Sequence, residues 1–155
     1  MGKKIIGIIS DTHGLLREEA RLALAKAEII IHAGDVGSPG ILDDLGRIAK
    51  VAAVRGNTDR EEWAGVLPKS QCLEYAGLNI YVIHNLQQLD LDPVAAGMNL
   101  VIYGHSHMPE IRNRGKVTYI NPGSAGPKRF SLPITLAVAQ VDGQKIEAEI
   151  IKLLD

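Results

Sequence analysis

The sequence has little cysteine, few aromatic residues and almost no net charge. Its 155 residues include one cysteine, Cys72, which excludes an internal disulfide framework and any metal site built from several thiolates. Aromatic residues make up 4%, too few for a platform that stacks nucleic-acid bases. The formal net charge is −1, so the chain lacks the basic surface expected of a protein that binds long nucleic acids or an anionic membrane.

Long hydrophobic runs are also missing. The apolar run Ile5–Ile9 stops at Ser10, which makes it too short for the hydrophobic region of a secretory signal. No stretch of 18 apolar residues is present, so we expect no membrane-spanning helix and no membrane partner. Together with the lone cysteine, these features predict a cytoplasmic protein. A length of 155 residues is typical of one domain, and we expect a single domain over residues 1–155.

The first sixty residues alternate between apolar runs and helical patterns. Apolar runs at Ile5–Ile9, Glu28–His32 and Val51–Val54 predict buried strands. The apolar spacing from Leu16 to Ala27 predicts a first helix. Ser38-Pro39 has the residue types of an N-cap and a first helical position, so it predicts the start of a second helix. Strands that alternate with helices in this way favour a parallel sheet with right-handed crossovers.

The second half has more turns and more strands. Its predicted elements, in chain order, are a hairpin of Gln71–Tyr75 and Asn79–Ile83, a short helix Asp90–Gly97, strands Leu100–Tyr103 and Val117–Ile120, and a hairpin of Leu136–Val138 and Ile146–Ile151. Asp142-Gly143, between the last two strands, predicts a type I′ turn. The expected architecture is a mixed α/β domain in which two sheets pack face to face.

Side chains that can bind metal ions fall at the ends of these apolar runs. They are Asp11, His13, Asp35, Asn57, His84, His105 and His107. In open α/β sheets the ligand crevice lies outside the carboxyl ends of the parallel strands, so the chain should deliver these groups to one rim. Asp11 and His13 are two residues apart, as are His105 and His107, and in extended chain each pair would point to the same side.

The chemistry of this set indicates transition metals. It combines carboxylate, amide and imidazole groups and contains no thiolate, which suits Mn²⁺, Fe²⁺, Co²⁺, Ni²⁺ or Zn²⁺ better than Ca²⁺. Seven ligands are too many for one ion and are about right for two ions that share a bridging carboxylate.

The order of these residues along the chain is itself informative. The motifs are Asp11-x-His13, Gly34-Asp35, Gly56-Asn57, His84 and Gly104-His105-x-His107. This ordered set resembles the calcineurin-like metallophosphoesterase superfamily, and the likeness covers essentially the whole chain. The short length and the segment Asn121-Pro122-Gly123-Ser124 are similar to the small bacterial and archaeal phosphodiesterase branch. The resemblance implies a four-layer α/β/β/α sandwich of two mixed β-sheets flanked by helices.

Carried over residue by residue, the resemblance implies two metal sites that share Asp35. Asp11, His13, Asp35 and His107 would hold the first ion, and Asp35, Asn57, His84 and His105 the second. Mn²⁺ is the first expectation, with Ni²⁺, Co²⁺, Fe²⁺ or Zn²⁺ as alternatives. Such ions, about 3.5–4 Å apart, clamp the attacking and leaving oxygens and activate a hydroxide, with a small phosphoester as substrate. The expected catalytic residues are Asp35, Asn57 and His105.

Two positions depart from the family pattern. Many members carry a His directly after the Gly-Asn pair, where it helps to protonate the leaving oxygen, but this chain has Thr58. Thr cannot act as an acid near pH 7, so we expect a preference for diesters whose leaving groups have a low pKa. Asn85 stands where the family usually has Gly, and its side chain would crowd the second ion or contact the substrate. Thr58 and Asn85 are therefore candidate substrate-binding residues.

Three further residues have open roles. Arg129 is a candidate partner for the substrate phosphate, although exposed cations are more often simply solvated. For His32 we favour support of the neighbouring ligands over direct ligation. Asp59 is equally suited to a turn and to a supporting position behind the ligands.

Other functions stay open on the sequence alone. A eukaryotic scaffold subunit of the retromer coat resembles this fold and has largely lost catalysis, so a catalytically weak protein-binding scaffold is the main alternative. A metal-buffering protein is a third. Members of the family often form dimers, so a homodimer is one expectation.

Overall fold

The computed structural model describes residues 3–154, which form two five-stranded β-sheets. The first sheet contains β1 (Lys4–Ile9), β2 (Ile29–His32), β3 (Lys50–Ala53), β9 (Thr135–Asp142) and β10 (Lys145–Lys152). The second contains β4 (Ser70–Tyr75), β5 (Leu78–Ile83), β6 (Leu100–Ile102), β7 (Glu110–Arg114) and β8 (Val117–Asn121). Helices α1 (Glu18–Ala23) and α2 (Pro39–Gly46) connect β1 to β2 and β2 to β3, and 3₁₀ helices span Glu62–Val66 and Leu86–Gln88.

Both sheets are mixed. The strand order is β10-β9-β1-β2-β3 in the first sheet and β4-β5-β6-β8-β7 in the second. Strands β1, β2 and β3 are parallel, as are β5, β6 and β8, and the remaining neighbours are antiparallel. The predicted strand–helix–strand–helix–strand order and the α/β sandwich of two mixed sheets are confirmed.

The core lies between the two sheets, and it follows from the alternation of side chains along each strand. On β2, Ile29 and Ile31 pack against the second sheet, whereas Ile30 faces the side covered by α1 and α2. Ile80 and Ile102 contribute to the core from the second sheet. Burial of each such side chain stabilises the fold by about 1.5–3 kcal/mol relative to exposure. A solid core of this kind holds the strand ends, and whatever follows them, in fixed positions.

The outer face of the second sheet is covered by irregular chain rather than by an α-helix. Leu86, Leu89, Leu91 and Met98 pack there against buried residues of the sheet. The predicted helix Asp90–Gly97 is wrong: the segment forms hydrogen-bonded turns. Pro93 keeps the preceding residue out of helical backbone, and Gly97, at φ 75°, ends the turn.

Several boundaries differ from the predictions. The first helix is shorter than the Leu16–Ala27 pattern, because the chain leaves α1 after Ala23 through a series of turns. Strand β7 was not predicted, since its sequence Glu-Ile-Arg-Asn-Arg is charged as edge strands often are.

In the last hairpin the turn residues are Gly143-Gln144 instead of Asp142-Gly143. Only Gly143 has a positive φ there, so the predicted type I′ turn is also wrong.

Within residues 3–154, every helix falls short of the length and apolar character that crossing a membrane would need.

Candidate metal centre

The candidate ligands meet at one end of the molecule, beyond the carboxyl ends of parallel strands from both sheets. Asp11 and His13 follow β1, Asp35 follows β2 and Asn57 follows β3, while His84 follows β5 and the last two histidines follow β6. Backbone hydrogen bonds hold these loops together, among them His13 N–H to the Asp35 carbonyl at 2.9 Å and Gly104 N–H to the His84 carbonyl at 2.9 Å. The site is therefore built from loops of both sheets.

Asp11 lies at the centre of the cluster. It is fully buried, and its Oδ1 lies 3.8 Å from His13 Nε2, 3.9 Å from His84 Nε2 and 3.4 Å from His107 Nε2. Its other oxygen accepts hydrogen bonds from Ser10 Oγ at 2.7 Å and from the His105 backbone N–H at 3.2 Å. One carboxylate oxygen is thus fixed by donors while the other faces three imidazoles.

Asp35 is the second carboxylate, and it connects two of the histidines. Its Oδ2 lies 3.8 Å from His13 Nε2 and 3.2 Å from His84 Nε2, while Oδ1 accepts a hydrogen bond from Thr58 N–H at 3.0 Å. Burial raises the pKa of Asp35, but His84 and the Thr58 N–H lower it more, so its pKa lies well below the ordinary value. Burial likewise lowers the pKa of His84, yet Asp35 and Asp11 bring the net pKa above its ordinary value. Asp35 is consequently ionised at neutral pH.

Asn57 and His105 form the exposed edge of the cluster. The two side chains pair with each other, with Asn57 Oδ1 3.2 Å from His105 Nδ1. The His105 ring also packs edge-on against the His84 ring, with centroids 5.3 Å apart. These two residues therefore face the solvent side, where a substrate would approach.

Five of the seven candidate ligands have left-handed backbone, which residues with a Cβ rarely adopt. They are Asp11, His13, Asp35, His105 and His107, with φ between 47° and 73°. Such conformations cost about 1–3 kcal/mol each and are concentrated at functional sites. The strain turns consecutive loop residues toward a common centre.

Glycines before three ligands allow the loops to approach this closely. A Cβ on Gly34 would lie 2.7 Å from His84 Nδ1, and a Cβ on Gly56 would lie 2.1 Å from Asp35 Oδ1. A Cβ on Gly104 would lie 2.1 Å from Ser10 Oγ. The glycines at these positions are therefore required by packing.

The residues present fit a metal centre. Four buried imidazole or carboxylate atoms lack a hydrogen-bond partner among residues 3–154, and all four belong to candidate ligands: Asp11 Oδ1, His13 Nε2, His84 Nε2 and His107 Nδ1. Unpaired buried polar atoms are costly, so a cluster of them in one place needs a compensating partner. Two overlapping groups have donor atoms close enough to share an ion, namely Asp11 with His13 and His107, and Asp11 with Asp35 and His84.

His32 lies beside the cluster and uses both ring nitrogens for the protein itself. The Thr12 hydroxyl donates to the Val36 carbonyl at 2.8 Å, so it accepts from His32 Nε2, 2.9 Å away. His32 Nδ1 in turn accepts from Gly34 N–H at 3.1 Å. Complete burial lowers the pKa of His32 to about 4, against partial opposition from Asp11 and Asp59. His32 is thus a neutral side chain that ties the two loops carrying the carboxylates.

This arrangement predicts a pH-dependent stability. Between pH 6.5 and about 4 the unfolded chain protonates His32 while the folded chain does not. Folding stability should therefore fall as the pH decreases through this window, by about 3 kcal/mol from this group. In urea titrations at pH 7, 5.5 and 4, the free-energy difference between wild type and His32→Gln should shrink by that amount. A difference that does not change with pH would contradict this account of His32.

Asp59 supports the ligands through the backbone. Its buried carboxylate accepts hydrogen bonds from the N–H groups of Val36 at 3.1 Å, Gly37 at 3.1 Å and Gly56 at 2.9 Å. Two of these donors directly follow Asp35 on one loop, and the third directly precedes Asn57 on the other. Asp59 therefore fixes the spacing between the two loops.

Other supporting residues were not predicted individually from the sequence. Ser10 positions Asp11 through its hydroxyl, and Ser124 Oγ donates to the Asp11 carbonyl at 3.1 Å. Asn121 donates from Nδ2 to the Gly104 carbonyl at 3.2 Å and to Ser106 Oγ at 3.0 Å. For Ser10 the signal was its place directly before Asp11, but nothing in a single sequence distinguishes it from a turn residue.

The candidate substrate-binding residues lie at different distances from the centre. Thr58 is exposed, and its backbone N–H donates to Asp35, while Asn85 and His105 line the same cavity. Arg129 is exposed on a loop whose beginning, Gly126, packs against the backbone of Asp11 and Thr12. Within residues 3–154 Arg129 is outside the cluster, and its contact with the substrate phosphate stays a prediction.

Two mixed sheets with histidines and carboxylates at their shared end define an α/β sandwich with a candidate metal centre. A family model for the calcineurin-like phosphoesterase superfamily domain matches residues 5–144. A probable metallophosphoesterase of Methanothermobacter thermautotrophicus is 36% identical over 160 residues, which cover 96% of this chain and 92% of that protein. The chain belongs to the calcineurin-like phosphoesterase superfamily, whose metallophosphoesterases use divalent metal ions.

Two further similarities extend this result. Phosphodiesterase YfcE of Escherichia coli K12 is 27% identical over 179 residues, which cover 91% of this chain and 94% of that protein. Vacuolar Protein Sorting 29 of Cryptosporidium parvum shares the fold with a TM-score of 0.79 at 18% identity, and the match covers 97% of each chain.

Proposed function

We propose that this protein is a phosphodiesterase that hydrolyses small phosphodiesters with two bound divalent cations. The observation that carries the proposal is the cluster of unpaired imidazole and carboxylate atoms around Asp11 and Asp35. Single-domain organisation over residues 1–155 and Mn²⁺ as the preferred ion belong to the same proposal. So does a cytoplasmic location, which is supported by the single cysteine.

In the proposal, the first ion is held by Asp11, His13, Asp35 and His107, and the second by Asp35, Asn57, His84 and His105. When bound, the two cations supply the positive charge that activates water and neutralises the phosphoryl oxygens. Asp35 Oδ2 contacts His13 from the first set and His84 from the second, as a bridging carboxylate would. Asp11 Oδ1 also contacts both sets, so the family resemblance assigns the bridge to Asp35.

The chain's own residues would then orient the reactants. Asp11 and Asp35 keep their positions because hydrogen-bond donors hold one oxygen of each. Asn57 and His105, at the exposed edge, would contact the diester and orient it. Thr58 can accept or donate a hydrogen bond, but its hydroxyl is not acidic near neutral pH. Thr58 therefore cannot protonate the leaving oxygen.

The direct test is hydrolysis of bis(4-nitrophenyl) phosphate by protein supplied with Mn²⁺ or Ni²⁺. We expect turnover that disappears on treatment with EDTA and returns when the ion is restored. A metal-reconstituted protein that hydrolyses no member of a panel of diesters and monoesters would refute the proposal.

A leaving-group dependence follows from Thr58. Across aryl methyl phosphodiesters, log kcat/KM should fall steeply as the pKa of the leaving phenol rises, because Thr58 cannot protonate the departing oxygen. Thr58→His should flatten this slope by supplying an acid. The control is Thr118→His, at a half-buried position of the internal strand β8 that is not among the candidate ligands, which should keep the wild-type slope. A wild-type rate that is independent of the leaving group would contradict the role given to Thr58.

A protein-binding scaffold is the second candidate function, because the fold is shared with Vacuolar Protein Sorting 29. The complete set of seven ligand side chains favours catalysis. Purified protein that retains two ions yet shows no turnover on the phosphoester panel would favour the scaffold.

A further inference from the structure

A cavity of about 300 Å³ lies next to the candidate metal centre on the side of the second sheet. Its lining includes His105 from the cluster and the polar residues Asn85, Tyr103, Ser106, Glu110 and Arg112. Because His105 borders both the cavity and the cluster, a molecule reacting at the cluster can extend directly into this space.

The polar groups of the cavity are held in place by one another. Tyr103 is buried, and its hydroxyl donates to Glu110 Oε1. Arg112 Nε lies 3.6 Å from the same oxygen, and the guanidinium lies over the Tyr119 ring with 5.4 Å to its centroid. A preorganised acceptor and donor therefore face the cavity together.

We propose that this cavity binds one alcohol arm of the phosphodiester substrate, and that the arm is an uncharged, hydroxylated group such as a sugar or nucleoside. The inference rests on the proposed function. Glu110 disfavours a second phosphate in the cavity, because a like charge would be repelled. A purely apolar arm would displace water from the half-exposed Glu110 carboxylate and Arg112 guanidinium without offering either a hydrogen bond in return. Hydroxyl groups satisfy both, since they donate to Glu110 and accept from Arg112.

Arg112→Ala and Arg114→Ala form a matched pair that tests the cavity. Both arginines are on β7 and lie over the Tyr119 ring, Arg114 at 5.9 Å, but only Arg112 lines the cavity. The substrates are the 4-nitrophenyl esters of thymidine 5′-phosphate and of methyl phosphate, which share a leaving group and differ only in the other arm. Thermal midpoints of both variants report on folding.

We expect wild type to prefer the thymidine ester by about 10- to 100-fold in kcat/KM, the contribution of one hydrogen bond to a charged group. Arg112→Ala should lose most of this preference, through KM, whereas Arg114→Ala should retain it. An unchanged ratio in Arg112→Ala, or an equal loss in Arg114→Ala, would overturn the proposal.

Binding of thymidine, followed by amide chemical shifts in the wild-type protein, separates this inference from the proposed function. The amides of Gln87, Ser106 and Arg112 should shift even if neither ester is hydrolysed, in which case the phosphodiesterase proposal alone fails. If both esters are hydrolysed equally well and thymidine shifts no amide at the cavity, the cavity proposal fails and the phosphodiesterase proposal stands.

Discussion

Asp35→Asn should lower kcat/KM for bis(4-nitrophenyl) phosphate by about a thousandfold or more, the largest effect expected of any single change. The substitution keeps the shape of the side chain but removes a negative charge from between His13 and His84. Loss of one preorganised electrostatic contact commonly costs 10²–10³ in rate, and here bound metal should be lost as well. Steady-state kinetics with metal analysis of the same sample measures both effects.

The control for Asp35→Asn is Asp43→Asn, the same change at an exposed position on α2, which should behave as wild type. A thermal midpoint close to that of wild type would show that the Asp35 variant is folded. Activity within tenfold of wild type, with two ions still bound, would contradict the role proposed for Asp35.

Gly56→Ala should reduce activity by about a hundredfold even though it removes no polar group. Its Cβ would lie 2.1 Å from Asp35 Oδ1 and 2.2 Å from the Asp35 backbone nitrogen, so the loop that carries Asp35 must move. Overpacking of this kind typically costs about 1–3 kcal/mol of stability. A displacement of about 1 Å at a catalytic group can cost 10²-fold in rate. Kinetics and urea unfolding of the variant measure the two effects separately.

Gly46→Ala is the matched control for that change. Gly46 is the last residue of α2, and a Cβ there meets no atom within 4 Å. This variant should keep full activity and at least wild-type stability, since Ala is the better helix former. Wild-type activity in Gly56→Ala would show that the close approach of the two loops does not matter for catalysis.

Much of the fold could be predicted because the apolar runs are short and sharply bounded. Ile5–Ile9 and Glu28–His32 are too short for buried helices and indicate buried strands, and the helical patterns between successive strands favour parallel pairing. Strand β7 was missed because an edge strand buries little, so its sequence carries no apolar alternation. The segment Asp90–Gly97 was mistaken for a helix because its composition suits one, whereas Pro93 and Gly97 confine it to turns.

The position of each candidate ligand after the end of a strand predicted that the ligands would lie close together. The residues and backbone conformations that hold the ligands in place could not be predicted in this way. Whether His13 has left-handed backbone depends on the loops that surround it, since residue type alone disfavours that conformation. The three N–H groups that donate hydrogen bonds to Asp59 lie up to 23 residues away in the chain, and local sequence does not encode such distant partners. The cavity beside His105 likewise depends on β7, the strand that the sequence did not predict.

The most direct test of the account is to count and locate the metal ions in protein crystals grown with Mn²⁺, by anomalous scattering. The account predicts two peaks per chain, about 3.5–4 Å apart, with an oxygen of Asp35 between them. His13 and His107 should coordinate one peak and His84 the other. A single peak, or two peaks of which neither touches Asp35, would contradict the central claim.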